Sequence, residues 1–173
     1  MRTSSWTALP LALAAVVSLA PRSAEAMRPV GLGATLGVGL PNGPANLGDI
    51  NPTFDWGFFT DIPLVSVFHI SPSTTLYRLD PSAGGGVAAT DVSLNFKFIV
   101  PLGPLEPFAG VTGGVTSTAK LEPHVGGMVG LAVNVVSNLD LFASLNYRLI
   151  IRDGGNVGAW HIFAGPIFRF APG

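Results

Sequence analysis

The chain has 173 residues, 48% of them hydrophobic and only 11% charged, with a formal net charge of -1 and no Cys. Soluble domains carry about a quarter charged residues, so this chain cannot clothe an ordinary water-facing exterior, and its near-neutral balance gives no attraction to nucleic acid. The lack of cysteine excludes a disulfide scaffold, a Cys-ligated zinc site, a thiol nucleophile and a lipid-modified N-terminal cysteine.

In chain order, residues 1–26 read as an address. Arg2 precedes an apolar run broken only by Pro10 and Ser18, and Ala24-Glu25-Ala26 forms an A-x-A cleavage site, which predicts a secretory signal peptide removed after Ala26. The run is shorter than the ~20 residues an anchor needs. Losing Arg2, Arg22 and Glu25 leaves residues 27–173 as a mildly acidic exported domain.

From there the pattern has period two. In residues 30–40, Val30, Leu32, Ala34, Leu36, Val38 and Leu40 alternate with Gly31, Gly33, Thr35, Gly37 and Gly39. Residues 54–62 set Phe54, Trp56, Phe58, Thr60 and Ile62 against Asp55, Gly57, Phe59 and Asp61. Residues 64–77 are extended but ambiguous in face, with Pro72 marking a break or bulge. In residues 91–100, Val92, Leu94, Phe96, Phe98 and Val100 oppose Asp91, Ser93, Asn95, Lys97 and Ile99. Residues 107–116 and 125–135 alternate apolar and small residues. Residues 139–149 set Leu139, Leu141, Ala143, Leu145, Tyr147 and Leu149 against Asp140, Phe142, Ser144, Asn146 and Arg148. Residues 159–170 set Trp160, Ile162, Ala164, Pro166, Phe168 and Phe170 against His161, Phe163, Gly165, Ile167 and Arg169. Alternation over about ten residues is long strand, and the segments number eight.

The connections alternate in length: 41–53, 78–86, 117–122 and 150–158 are long, while the turns around Pro63, at 101–106 and at 136–138 are short. Short connections force antiparallel pairing, so the chain is an all-β, antiparallel up-and-down meander with both termini on the short-turn side. Closed into a barrel, it could be soluble and lipocalin-like, carrying a hydrophobic ligand, or transmembrane. The polar face is mostly Gly, Ser, Thr and Asn, which suits a crowded interior better than a hydrated exterior. The continuous apolar faces, about the ~9–11 residues a spanning strand needs, suit lipid. Closure would satisfy every backbone group in hydrocarbon.

Residues 27–173 resemble the small eight-stranded outer-membrane barrels, the OmpA membrane domain and OmpX type. The resemblance rests on the start Arg28-Pro29-Val30-Gly31, on Glu106-Pro107-Phe108-Ala109-Gly110, and on the ending Gly165-Pro166-Ile167-Phe168-Arg169-Phe170. It implies a porin-like location in a Gram-negative outer membrane, contact with membrane lipid and lipopolysaccharide, and recognition of Phe168 and Phe170 by the barrel-assembly machinery. Members usually end at the aromatic; here Ala171-Pro172-Gly173 follow.

The inward charges are the nearest thing to a chemical constellation. Pairing the last two strands around Gly154-Gly155 places Asp140 opposite Arg169 and Arg148 opposite His161, with Lys97 at the depth of Asp140 and Asp91 near Arg148. Enclosed in a small barrel, Asp91, Lys97, Asp140, Arg148 and Arg169 would need partners, which predicts a structural salt-bridge network plugging the lumen. An ion path is the rival reading. His69-Ile70-Ser71 has the spacing of a PagL-type lipid deacylase, but no acid follows at a suitable distance; His124 and His161 lie on separate strands without a local acid. No cofactor or metal is implied. The expected function is non-catalytic: membrane integrity, or adhesion through the loops to an unidentified partner. A narrow solute channel and a lipid-modifying enzyme are the alternatives.

Overall fold

The computed structural model describes residues 28–42, 51–79, 86–118, 120–153 and 155–170. The signal peptide expected at residues 1–26 lies outside the described residues, as do residues 171–173 after the terminal aromatic. The rest forms β1 (Gly31–Asn42), β2 (Thr53–Val65), β3 (Phe68–Leu79), β4 (Val87–Ile99), β5 (Leu105–Ser117), β6 (Leu121–Val136), β7 (Leu139–Ile150) and β8 (Val157–Arg169). Each strand pairs antiparallel with its sequence neighbour, and β8 returns to β1, closing the barrel. Closure leaves no edge strand with unpaired backbone groups.

The period-two pattern decides which face goes where. Even-numbered apolar residues of β1, among them Leu32, Leu36 and Val38, point outward, as do Phe54, Trp56 and Phe58 of β2; Leu36 is 60% exposed and Phe54 66%. Asp55, Asp61 and Asp140 are fully buried inside. The barrel is therefore apolar outside and polar inside, opposite to a lipocalin.

Eight strands leave a lumen just wide enough to be filled by side chains, and the glycines of β1 set how it fills. A Cβ at Gly33 would sit 2.2 Å from the Phe59 ring, so only glycine lets Phe59 cross the lumen to meet Phe142 edge-on, their centroids 5.2 Å apart. Across the barrel, Gly130 makes the same room for Phe108, whose ring would lie 2.4 Å from an added Cβ.

Four expectations about connections and register need correction. Pro63 does not form the second turn: it lies within β2 opposite His69, a bulge follows, and Ser66 and Val67 make the turn. Pro72 neither breaks nor bulges β3. It pairs with Leu94 of β4, while the ladder to β2 skips from Phe59↔Ser73 to Ile62↔Ile70 and resumes in register, since proline has no N–H to give that side. Long and short connections do not strictly alternate, because β5 and β6 extend until only 118–120 join them, whereas 100–104 join β4 to β5 on the other rim. Finally, β7 and β8 pair two residues away from the expected register: Asp140 faces Ile167 and Arg148 faces Ala159. A two-residue shift keeps every inward side chain inward, so alternation could not reveal it.

Candidate functional site

Inward positions at the same depth converge across a small barrel, and the charged ones gather in two clusters. The lower, at the rim where Arg28 and Phe170 lie, centres on Asp61 of β2. Its carboxylate accepts hydrogen bonds from Lys97 of β4, from Arg169 of β8 at 2.6 Å and from Ser71 at 2.9 Å, and lies 2.9 Å from His69 Nδ1. Arg169 also donates to Asp140 at 2.8 Å. Arg28, just before β1, reaches Asp140 at 3.1 Å and Glu106 at 2.6 Å. Asn134 donates a further bond to Asp140 at 2.8 Å. The Lys97 ammonium also stands over the faces of Phe59 and Phe108, 5.4 and 5.6 Å from their centroids. Ion pairs and hydrogen bonds thus tie together the seven strands β2 to β8 and the segment before β1.

The upper cluster lies toward the opposite rim. Arg148 pairs with Asp91, which also accepts from Tyr77 at 3.1 Å. His161 Nδ1 lies 2.6 Å from Asp55, and Thr53 donates to the same carboxylate at 2.6 Å. His124 sits between Ser93 and Thr116, at 2.9 and 3.0 Å.

The five charged residues singled out from the sequence therefore fall into two groups. Lys97, Asp140 and Arg169 share the lower cluster, and Asp91 and Arg148 form an ion pair in the upper one. Asp140 and Arg169 meet diagonally despite the shifted register, because a long arginine spans the offset. Arg148 and His161 do not pair; each takes its own aspartate. Asp61, the hub, was visible in the sequence only as an inward position of its strand. Arg28 and Glu106 stood in motifs that gave no hint of an ion pair.

Tertiary structure also supplies the acid that His69-Ile70-Ser71 lacks in sequence: Asp61 contacts both side chains. The arrangement is nonetheless not a charge-relay triad. Ser71 donates its proton to Asp61 rather than facing the histidine, and both residues are 2% exposed inside the lumen. Among the described residues no three His, Asp or Glu side chains converge as a metal site.

The exterior is a continuous apolar belt. Trp56, Tyr147 and Trp160 lie toward the rim of the longer loops, with Tyr147 and Trp160 packed 4.8 Å apart; Phe68, Phe96, Phe98, Phe168 and Phe170 lie toward the other. Phe168 and Phe170 are 50% and 56% exposed, and the Phe170 amide donates to the Val30 carbonyl, fastening the C-terminal end to the start of β1. Aromatic girdles at both ends of an apolar band are the surface of a barrel solvated by lipid.

The fold is that of a transmembrane, eight-stranded antiparallel β-barrel, the architecture found in small outer-membrane barrels. Neisserial surface protein A shares this fold at a TM-score of 0.72 and 16% identity, the match covering 84% of this chain and 100% of that one. The outer membrane protein OprG of Pseudomonas aeruginosa follows at 0.55 and 10%, covering 84% and 98%. The attachment invasion locus protein Ail of Yersinia pestis matches at 0.51 and 15%, covering 82% and 100%. No family model and no curated relative matches the sequence.

Proposed function

We propose that this chain serves an outer membrane as a non-catalytic structural or surface-interaction barrel, its lumen plugged by the two charge clusters and its contacts made through its exterior and loops. The observation that carries the reading is Asp61 bound at once to Lys97, Arg169, His69 and Ser71, because side chains from β3, β4 and β8 meeting on one carboxylate of β2 support a lumen crossed by protein. Each carboxylate of the two clusters meets a basic side chain, and all of these groups but the half-buried Arg28 are buried, the form in which buried ions are tolerated.

Features of the surface support the proposed partners. The apolar belt meets outer-membrane lipid. Trp56, Tyr147 and Trp160, at the rim whose connections hold Lys120 and the Glu122-paired Arg152, suit a leaflet with phosphate-bearing headgroups such as lipopolysaccharide. Phe168 and Phe170, exposed on the last strand, suit docking to the barrel-assembly machinery. The similar folds include Neisserial surface protein A and the attachment invasion locus protein Ail, whose names fit adhesion through the loops.

Planar-bilayer recording tests the plug: the expected result is no unitary conductance, and discrete steps would instead establish the narrow-channel reading. Adhesion of cells displaying the protein, compared with cells whose 151–156 connection is replaced by Gly and Ser, tests the surface role; equal adhesion would remove it.

A further inference from the structure

Among the described residues, the side chains on the lipid face between the two aromatic rims are apolar, with two exceptions. Thr60 of β2 and Thr74 of β3 point outward near the middle of their strands, beside the inward Asp61 and Thr75. Acyl chains neither donate nor accept hydrogen bonds, so a hydroxyl at this depth is met only where protein covers it. The ladder between β2 and β3 is interrupted at the same place, where Pro72 has no N–H to give β2. The two hydroxyls form a column along the membrane normal. Thr74 pairs with Phe58, so it lies one strand across from Thr60 and two residues along. The registers climb from Gly31 to Pro41 in one circuit of the ring, which tilts the strands in the sense that turns this diagonal upright. One strand across is ~4.8 Å and two residues along ~6.6 Å, a diagonal ~36° from the strand axis, which matches the ~35–45° tilt of membrane strands. Phe58, 55% exposed, flanks the column on one side and the exposed Pro72 on the other.

We propose that this column is the contact line of a homodimer within the membrane, a second copy of the chain docking its β2 and β3 on these strands about a two-fold axis along the membrane normal. Such an axis sets each residue on it against its own copy at the same depth. Only a group that both donates and accepts is complementary to itself, and a threonine hydroxyl does both. Any other partner would have to present polar groups at two depths ~8 Å apart in hydrocarbon, which the second copy supplies by symmetry. The same axis brings the Phe58 ring of each copy over Pro72 of the other, a large side chain against a flat one. The inference rests on the exterior facing lipid, and it stands whether or not the loops act in adhesion.

The test uses the barrel folded into lipid vesicles, and the absence of native cysteine lets single cysteines report the contact. Under mild oxidation Thr74→Cys should give a disulfide-linked dimer, whereas Val129→Cys, outward on the far side of the ring, should stay monomeric. Energy transfer between donor- and acceptor-labelled Ser66→Cys, in the β2 to β3 turn, then follows association as lipid dilutes the protein. Replacing both threonines, Thr60→Val with Thr74→Val, should weaken association about tenfold, the loss expected for two hydrogen bonds within a membrane. Thr60→Ser with Thr74→Ser, which keeps both hydroxyls, should hold the native value. No transfer at any dilution, equal cross-linking at Val129→Cys, or unchanged association in the valine variant overturns the proposal. Failure of the lipid-facing reading would show separately, as loss of the vesicle-bound, heat-modifiable barrel.

Discussion

Asp61→Asn is the sharpest perturbation the lumen offers. The substitution keeps the side chain's size and one acceptor oxygen but removes the charge that Lys97 and Arg169 share. Arg169 retains Asp140 at 2.8 Å, whereas Asp61 is the carboxylate that Lys97 meets, and Lys97 is only 8% exposed. Leaving a buried charge uncompensated costs about 3–5 kcal/mol. The amide oxygen of the variant and the faces of Phe59 and Phe108 still stand against the ammonium, so the lower end, about 3 kcal/mol, is expected. Asp140→Asn provides the internal comparison. It leaves Arg28 with Glu106 at 2.6 Å and Arg169 with Asp61 at 2.6 Å, so it removes charge-assisted hydrogen bonds without orphaning a cation. That should cost about 1.5 kcal/mol. Urea titration in lipid vesicles, followed by Trp56 and Trp160 fluorescence, reads both. With a denaturant slope of about 2 kcal/mol/M, the midpoint falls by about 1.5 M for Asp61→Asn and by under ~1 M for Asp140→Asn. Equal losses, or a larger loss for Asp140→Asn, would refute Asp61 as the hub.

Three further outcomes are expected. In the upper cluster, Arg148→Met and Asp91→Leu should each destabilise by about 3 kcal/mol while the double variant recovers most of the loss, as a double-mutant cycle in urea would show; additive losses would mean that the pair is not coupled. Gly165→Ala, whose Cβ would lie 1.9 Å from the Ala34 carbonyl oxygen, should sharply reduce the yield of heat-modifiable folded barrel on electrophoresis, whereas Gly113→Ala, with nothing closer than 4.0 Å, should fold normally. Val129→Arg, placing a charge midway along β6 on the lipid face, should cost about 2–4 kcal/mol in vesicles; a change near zero would mean that this face does not contact hydrocarbon.

Much of the protein was legible in the chain itself. Strict alternation over β1, β4, β7 and β8 gave long strands and sorted their two faces, because side chains of a strand must point to opposite sides whatever the strand pairs with. The scarcity of charge, set against continuous apolar faces, decided which face meets lipid before any pairing was known. The ambiguous face of residues 64–77 resolves only in the structure: with Pro63 inside β2 and the turn at Ser66 and Val67, His69, Ser71, Thr75 and Tyr77 fall inward in register.

What tertiary structure alone decided is which inward residues touch. Alternation has a period of two, so sliding β8 along β7 by two residues leaves every face unchanged, and the sequence cannot distinguish the two registers. The identity of the ion pairs depends on that stagger and on strands far apart in the chain. Asp61 meets Arg169 across 108 positions and Asp55 meets His161 across 106. The sequence therefore determined that charges would be enclosed and had to be matched, since a desolvated charge is costly alone. Closure of the barrel, with its particular stagger around the ring, chose Asp61 as the carboxylate on which the lower cluster converges.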